Sequence, residues 1–370
     1  MLSFPKWPIA DESDLKLIRE ADIRDRARPM SKRFSDAFRD FTKAPYVLPV
    51  ANGTVSLELI LTALGVGPGD EVILPPYTFI ATFSSIIYTG ATPVFADIEP
   101  DTYNLSPVEA EKKITSKTKA IVAVAVAGRP FDLDAFEQLA KDKGLYLIVD
   151  AAQAVGATWN GRDIATYGTC ASFSCQNTKN LTCGEGGIIT TSDENLYQKL
   201  CDMVEKKDHR LNEISCALLI SQLSRLSQQM KKRAESARYL NEGLSRGRLV
   251  LPMKQDPRIT LDAYHLFVLR TRVEELAKAG RTRKDLIRDA RELGLPLLAG
   301  YEPLYRLPSV QSATTRKLIR ADMDLSPLPV CERASYEEGL WLEQFTLLSE
   351  KETLDQILQI FETLERRYFG

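Results

Sequence analysis

Between residues 45 and 200, short runs of apolar and β-branched residues alternate with longer stretches whose apolar positions recur at helical spacing. The runs at 71–74, 93–98, 120–126, 145–149, 171–174 and 187–191 predict strands. Several are apolar almost throughout, as strands covered on both faces must be. The intervening stretches 54–64, 107–113 and 133–143 predict helices, and the alternation predicts parallel strands joined by crossover helices, an α/β domain. A long helical run at 211–244, rich in Leu, Lys, Arg and Gln and closed by Gly243 and Gly247, connects to a second region. That region shows an apolar strand at 265–269, a helix near 282–293 and a C-terminal helix at 351–368. The Pro-rich stretch 295–308 predicts a loop, and loops are where sites concentrate. Gly65-Val-Gly-Pro-Gly69 follows a helix and precedes a strand. This is the reverse of a dinucleotide fingerprint, so it predicts a helix-ending turn rather than a nicotinamide site.

Length agrees with this division. At 370 residues the chain exceeds the roughly 250–300 at which single cores stop growing. The expected domains are 1–244, a large domain with an N-terminal arm, and 245–370, a smaller C-terminal one. Forty-eight Lys and Arg against 50 Asp and Glu, interspersed along the chain, supply no broad positive field for a phosphate backbone, so nucleic acid is not an expected partner. The opening MLSFPKWPIADESD lacks the apolar core of a signal peptide, and nowhere do eighteen apolar residues run together. A cytoplasmic protein with no membrane partner is expected. The six cysteines include no CxxC pair, and most are expected to be small buried hydrophobes. His209 and His265 stand in no ligand spacing, which disfavours a metal site and a Ser-His-Asp triad.

Three features could carry chemistry. Asp150 ends a fully apolar strand in Leu-Ile-Val-Asp-Ala-Ala-Gln, the position where open α/β sheets place ligand-contacting residues; a helix N-cap is the equal alternative. Lys179 lies just past another strand among small and polar residues, with Ser174 before it and Gly184, Gly186 and Gly187 after, where backbone and hydroxyl could approach a phosphate. Ala51-Asn-Gly-Thr54 opens a helix, which makes either a phosphate site or an ordinary cap. A lysine, a carboxylate and a phosphate cradle on the strand ends of one sheet are the parts a pyridoxal phosphate enzyme requires. The amine bonds the cofactor, the carboxylate keeps the pyridine nitrogen protonated, and the cradle anchors the phosphate.

At these residues the chain resembles the DegT/DnrJ/EryC1/StrS family of sugar aminotransferases. The matching segments are VANGTVSLELILTALGVGPGDEVILPPYTFIAT, GATPVFADIEPDTYNL, ITSKTKAI, IVDAAQAVGATWNGR, FSCQNTKNLTCGEGGIITT and LPVCERASYEEGLWL. Within the family, FSCQNTK and the early FPKWP look most similar to the aminocyclitol and 3-amino-5-hydroxybenzoate synthase branch. The resemblance implies a fold-type I transferase, with a mainly parallel seven-stranded sheet in the large domain and a smaller C-terminal α/β domain. It implies pyridoxal 5′-phosphate as cofactor, with Lys179 bonding it and shuttling the proton. Asp150 would pair with the pyridinium nitrogen, Gln153, one helical turn on, would reach the ring hydroxyl, and Phe79 would stack on the ring. Gly53, Thr54 and Ser174 would hold the phosphate. It further implies a homodimer with shared sites, an amino-acid donor (Glu or Gln) and a keto acceptor that is a sugar, nucleotide sugar or cyclitol, as in polysaccharide or antibiotic biosynthesis.

The pattern also departs from the family. Val126-Ala127-Gly128 stands where relatives show an aromatic-Gly pair, and Cys175 where they have His or Phe. The excursion before Asp208-His-Arg-Leu211 is shortened, which makes Arg210 the candidate phosphate contact from a partner subunit, with a surface cation as the alternative. Tyr77, Tyr301, Tyr305 and Arg306 are candidates for substrate contacts, each with packing or surface roles as alternatives. Dehydratase relatives replace the lysine with His, so Lys179 favours transamination over elimination; a non-catalytic partner protein of the same fold is the remaining alternative.

Overall fold

The computed structural model describes residues 2–22, 24–25, 27–319 and 322–370. Seven strands form the larger sheet: β1 (Tyr46–Val50), β2 (Glu71–Leu74), β3 (Thr92–Phe95), β4 (Thr118–Val124), β5 (Tyr146–Asp150), β6 (Cys170–Ser174) and β7 (Gly187–Thr191), in the order β1-β7-β6-β5-β4-β2-β3. Strands β6, β5, β4, β2 and β3 are parallel, and β7 runs antiparallel to both β6 and β1. Successive strand residues enter opposite cores. Ile121 and Ala123 of β4 and Leu147 and Val149 of β5 pack with Phe34, Phe38 and Phe136, whereas Ala120, Val122 and Ile148 pack with Leu57, Ile60 and Phe83. Each such large side chain, once buried, contributes about 1.5–3 kcal/mol.

Four antiparallel strands make the smaller sheet: β8 (Val250–Pro252), β9 (Leu266–Thr271), β10 (Leu298–Ala299) and β11 (Gly339–Glu343), ordered β8-β9-β11-β10. The 32-residue helix Glu213–Leu244 serves both sheets. Its first half, through Cys216, Leu219, Leu226 and Met230, joins the large-sheet core; Ala237, Leu240 and Leu244 join Phe267, Leu269, Leu340 and Phe361 around the small one.

The pattern missed some elements for identifiable reasons. Strand β1 contains Pro49, which removes a ladder donor, but β1 lies at the sheet edge, where proline is tolerated. The run expected at 120–126 ends as a strand at Val124, because Ala127 turns the chain into the left-handed region at φ +62°. Likewise the run at 93–98 leaves the sheet after Phe95, and Asp97 instead accepts the N–H groups of Val330 and Cys331 at 2.9 and 3.0 Å. No described helix is long and apolar enough to cross a membrane.

Candidate active site

The carboxyl ends of β4, β5 and β6 lie side by side, with Val124 in register with Asp150 and Asp150 with Ser172. Asp150 is buried there. Its Oδ2 accepts the Thr82 hydroxyl at 2.8 Å and its Oδ1 the Ala152 N–H at 3.1 Å. Residues 151–157 form turns, so Asp150 caps no helix and Gln153 stands in a turn rather than one helical turn on. Burial raises the Asp150 pKa, against the lowering effect of the Thr82 bond, the Ala152 N–H and the nearby Lys179 cation.

Lys179 follows β6 in a loop that returns to β7, and its N–H donates to the Gln176 carbonyl at 2.9 Å. The side chain is half-buried, and that burial brings the amine down to about 8, opposed by Asp150 and Cys175. A lysine of ordinary pKa is an ammonium at neutral pH and no nucleophile; this one is poised to lose its proton near working pH.

Asn52 caps the helix Gly53–Ala63, its Oδ1 accepting the Val55 N–H at 2.9 Å. The N–H groups of Gly53 and Thr54 find no acceptor among the described residues. Ser174, at the end of β6, lies against them: a Cβ on Gly53 would fall 2.9 Å from the Ser174 Cβ and 3.4 Å from its Oγ. The neighbouring Gly187 is required by the fold, since a Cβ there would stand 2.4 Å from the Asn52 carbonyl oxygen. That glycine therefore lets one backbone pass another, and does not itself make room for a ligand.

Gln153 is buried with both ends of its amide engaged. Its Oε1 accepts the Ala127 N–H at 2.7 Å, and its Nε2 donates to the Tyr301 hydroxyl at 2.8 Å. Tyr301 packs edge-on to Trp341 and Tyr77, at 5.0 and 5.6 Å between ring centroids, and burial pushes its hydroxyl up to about 12. Tyr77 is fully buried and its hydroxyl has no hydrogen-bond partner among the described residues. Phe79 precedes the helix Ile80–Tyr88, whose Thr82 bonds Asp150, and its large ring is 59% exposed.

Other candidates stand elsewhere. Tyr305 is sealed in the large-sheet core against Phe95, where its hydroxyl accepts the Leu328 N–H at 3.0 Å; it packs and does not line the site. Arg306 is exposed and paired with Glu332 at 2.9 Å. Arg210 pairs with Asp208 and Glu205, while the backbone around it is stitched to β1: Val50 bridges Arg210, and the His209 carbonyl accepts the Ala51 N–H at 2.8 Å. Residues 208–212 alone join the helices Glu194–Lys207 and Glu213–Leu244.

Sequence reasoning missed Thr82, Asn180, His265 and Trp7. Thr82 carried a signal, falling one helical turn after Phe79. Asn180 directly follows Lys179 and is buried; His265 and Trp7 arrive from distant segments that no local pattern ties to the lysine.

The residues present fit pyridoxal phosphate. Two helix N–H groups with no acceptor among the described residues and the Ser174 hydroxyl line a notch that a methyl group on Gly53 would fill, and a lysine of lowered pKa and a buried carboxylate lie within each other's field. The sequence matches the DegT/DnrJ/EryC1/StrS aminotransferase family over residues 11–361. It is 30% identical over 398 residues to the L-glutamine:scyllo-inosose aminotransferase of Streptomyces griseus, covering 97% of this chain and 93% of that protein. To the GDP-perosamine synthase of Caulobacter vibrioides it is 34% identical over 300 residues, 77% and 80% of the two chains. The crystal structure of 3-amino-5-hydroxybenzoic acid (AHBA) synthase superposes with a TM-score of 0.87 at 28% identity, covering 99% of each chain.

Proposed function

Because the chain belongs to the DegT/DnrJ/EryC1/StrS aminotransferase family and is accordingly a pyridoxal-phosphate-dependent aminotransferase, we propose that it carries an amino group from glutamine or glutamate to a keto carbon of a sugar, nucleotide-sugar or cyclitol acceptor. When bound, the cofactor supplies an aldehyde that exchanges amino groups and a ring that accepts electrons. The rest falls to the protein's own side chains.

The observation that carries the reading is Lys179, half-buried, brought to about 8 and set in the field of Asp150 at the end of the central strand. In this reading Lys179 holds the cofactor and moves the proton at its Nζ. Asp150, fixed by Thr82 and the Ala152 N–H, presents a carboxylate to the ring nitrogen, and Gln153 lies beside the ring oxygen. Phe79 covers the ring face, and the Gly53 and Thr54 N–H groups with Ser174 bind the phosphate. Tyr77 and Tyr301 form the wall behind Gln153. The name of the Streptomyces griseus relative gives L-glutamine as its donor, which supports glutamine here. A cytoplasmic homodimer completes the reading, with Arg210 released from its acidic neighbours to reach the partner's phosphate site.

The test is stoichiometric. Enzyme loaded with cofactor and given glutamine or glutamate without any acceptor releases one oxo acid per site and then stops, and a keto cyclitol or keto sugar restarts it. Oxo-acid release that never depends on the cofactor would overturn the reading.

A further inference from the structure

The loop that bears Lys179 is tied down next to the lysine by a side chain that the proposed reaction leaves unused. Asn180 is buried; its Nδ2 donates to the Ala263 carbonyl at 2.6 Å and its Oδ1 lies 3.4 Å from Nδ1 of His265. His265 is buried too, just before β9, and no described residue bonds its Nε2. Tyr264, between these two partners, adopts φ +48°, a left-handed backbone that an aromatic residue rarely accepts. That twist turns the Ala263 carbonyl and the His265 ring toward the same asparagine.

The same corner holds two more left-handed residues. Ala127, at φ +62°, aims its N–H at Gln153, and Gly128, at φ +93°, fits where a Cβ would lie 2.7 Å from the Gln153 carbonyl oxygen and 2.8 Å from the His265 nitrogen. Strained backbone persists only where the surroundings enforce it, and such strain gathers at functional sites. Here it gathers where Gln153 takes the Ala127 N–H and where Asn180, next to the lysine in sequence, meets Ala263 and His265.

Burial, with a smaller effect of the Lys179 and Arg233 charges, keeps the imidazole neutral, and no carboxylate among the described residues is bonded to it. A neutral ring can stand beside a lysine that must lose its proton, where a carboxylate would hold the proton on.

We propose that Asn180 and His265 are positioning residues for Lys179: the imidazole N–H fixes the Asn180 amide, and Asn180, bonded also to Ala263, sets the direction of the adjoining lysine without adding charge. The proposal rests on the aminotransferase reading in one respect, that Lys179 is the reacting amine.

The test uses the full chain without cofactor. Pyridoxal phosphate is added across a pH series, its covalent linkage is followed by absorbance, and borohydride trapping with mass spectrometry locates it on Lys179. Asn180→Ser and His265→Leu are expected to slow linkage about tenfold or more, as misplacement of a reacting group does, and to move the midpoint of the pH profile. His265→Asn, which keeps an N–H for Asn180, is expected to restore the rate to within a few-fold. Thermal midpoints identify a variant that has lost its fold; if His265→Leu has, Asn180→Ser decides. Wild-type rates and an unmoved midpoint in Asn180→Ser, or His265→Asn as slow as His265→Leu, overturn the proposal. A wild type that forms no linkage overturns the aminotransferase reading and this proposal with it, so the two failures are distinguishable.

Discussion

Gln153 and Tyr301 are joined by a 2.8 Å hydrogen bond across 148 residues of sequence. The bond couples the turn after β5 to the segment after β10 and leaves the Gln153 amide with one orientation, because its other end already takes the Ala127 N–H. The side chain expected to lie beside the cofactor ring is therefore set by partners from two other parts of the chain.

Removing the hydroxyl in Tyr301→Phe leaves a buried amide N–H without its acceptor, a loss of about 1 kcal/mol. The expected result is a small fall in the thermal midpoint of the cofactor-free protein and a several-fold weaker affinity for pyridoxal phosphate. Since the Tyr301 hydroxyl titrates only near 12, the deficit is expected to be the same at pH 7 and pH 9 in a cofactor titration.

Asp150→Asn keeps the shape of the side chain and an acceptor for Thr82, but removes the charge proposed to hold the ring nitrogen protonated. Cofactor is expected to remain bound while turnover falls by about 10²–10⁴-fold, the range for loss of a group that governs a proton in the transition state. Equal turnover in mutant and wild type, measured under saturating donor, would remove Asp150 from the mechanism.

Gly53→Ala places a methyl group 2.9 Å from the Ser174 Cβ, in the notch proposed for the phosphate. Cofactor affinity is expected to fall about tenfold or more, roughly 1.4 kcal/mol. Gly67→Ala is the control, since a Cβ there meets nothing nearer than 3.8 Å. Equilibrium titration of the two variants is expected to separate them clearly.

The Lys179 amine sits near 8 in the fold against an ordinary 10.5. Between those values the unfolded chain binds more protons than the folded one, so stability of the cofactor-free protein rises with pH through that window. Below pH 8 the buried ammonium costs about 1–3 kcal/mol, allowing for its partial exposure. Lys179→Met is expected to be more stable than wild type at pH 7 by that amount, with the gap closing toward pH 10.5, in urea melts at several pH values.

Most of the parallel sheet was legible because its strands are apolar on both faces and separated by helical spacing, as Ile148 and Val149 show by entering opposite cores. Asp150, Lys179 and the Asn52-Gly53-Thr54 helix start stood out in the sequence because each lies at or just past a strand end or at a helix start, whereas Gln153 and Phe79 entered only through the family resemblance. What sequence reasoning could not supply were contacts of long separation: Trp7 donating to the Asn177 carbonyl at 3.1 Å, Tyr301 meeting Gln153, and His265 meeting Asn180. Tyr305 and Arg306, candidates for substrate contacts with packing and surface roles as alternatives, stand in those alternative roles. They sit near Tyr301 in sequence, yet the short helical turn Leu304–Arg306 sends one into the core and the other to solvent.

Everything proposed for the site depends on Lys179 being the amine through which this chain exchanges amino groups. The most direct measurement is the visible absorption spectrum of the purified protein with pyridoxal phosphate, recorded before and after glutamine and then glutamate, for the wild type and Lys179→Ala. The wild type is expected to show the absorbance of lysine-bound cofactor, which one of the two donors bleaches without an acceptor, while Lys179→Ala never develops it. A wild-type spectrum indifferent to both donors, or a Lys179→Ala protein that behaves as the wild type does, would contradict that role for Lys179.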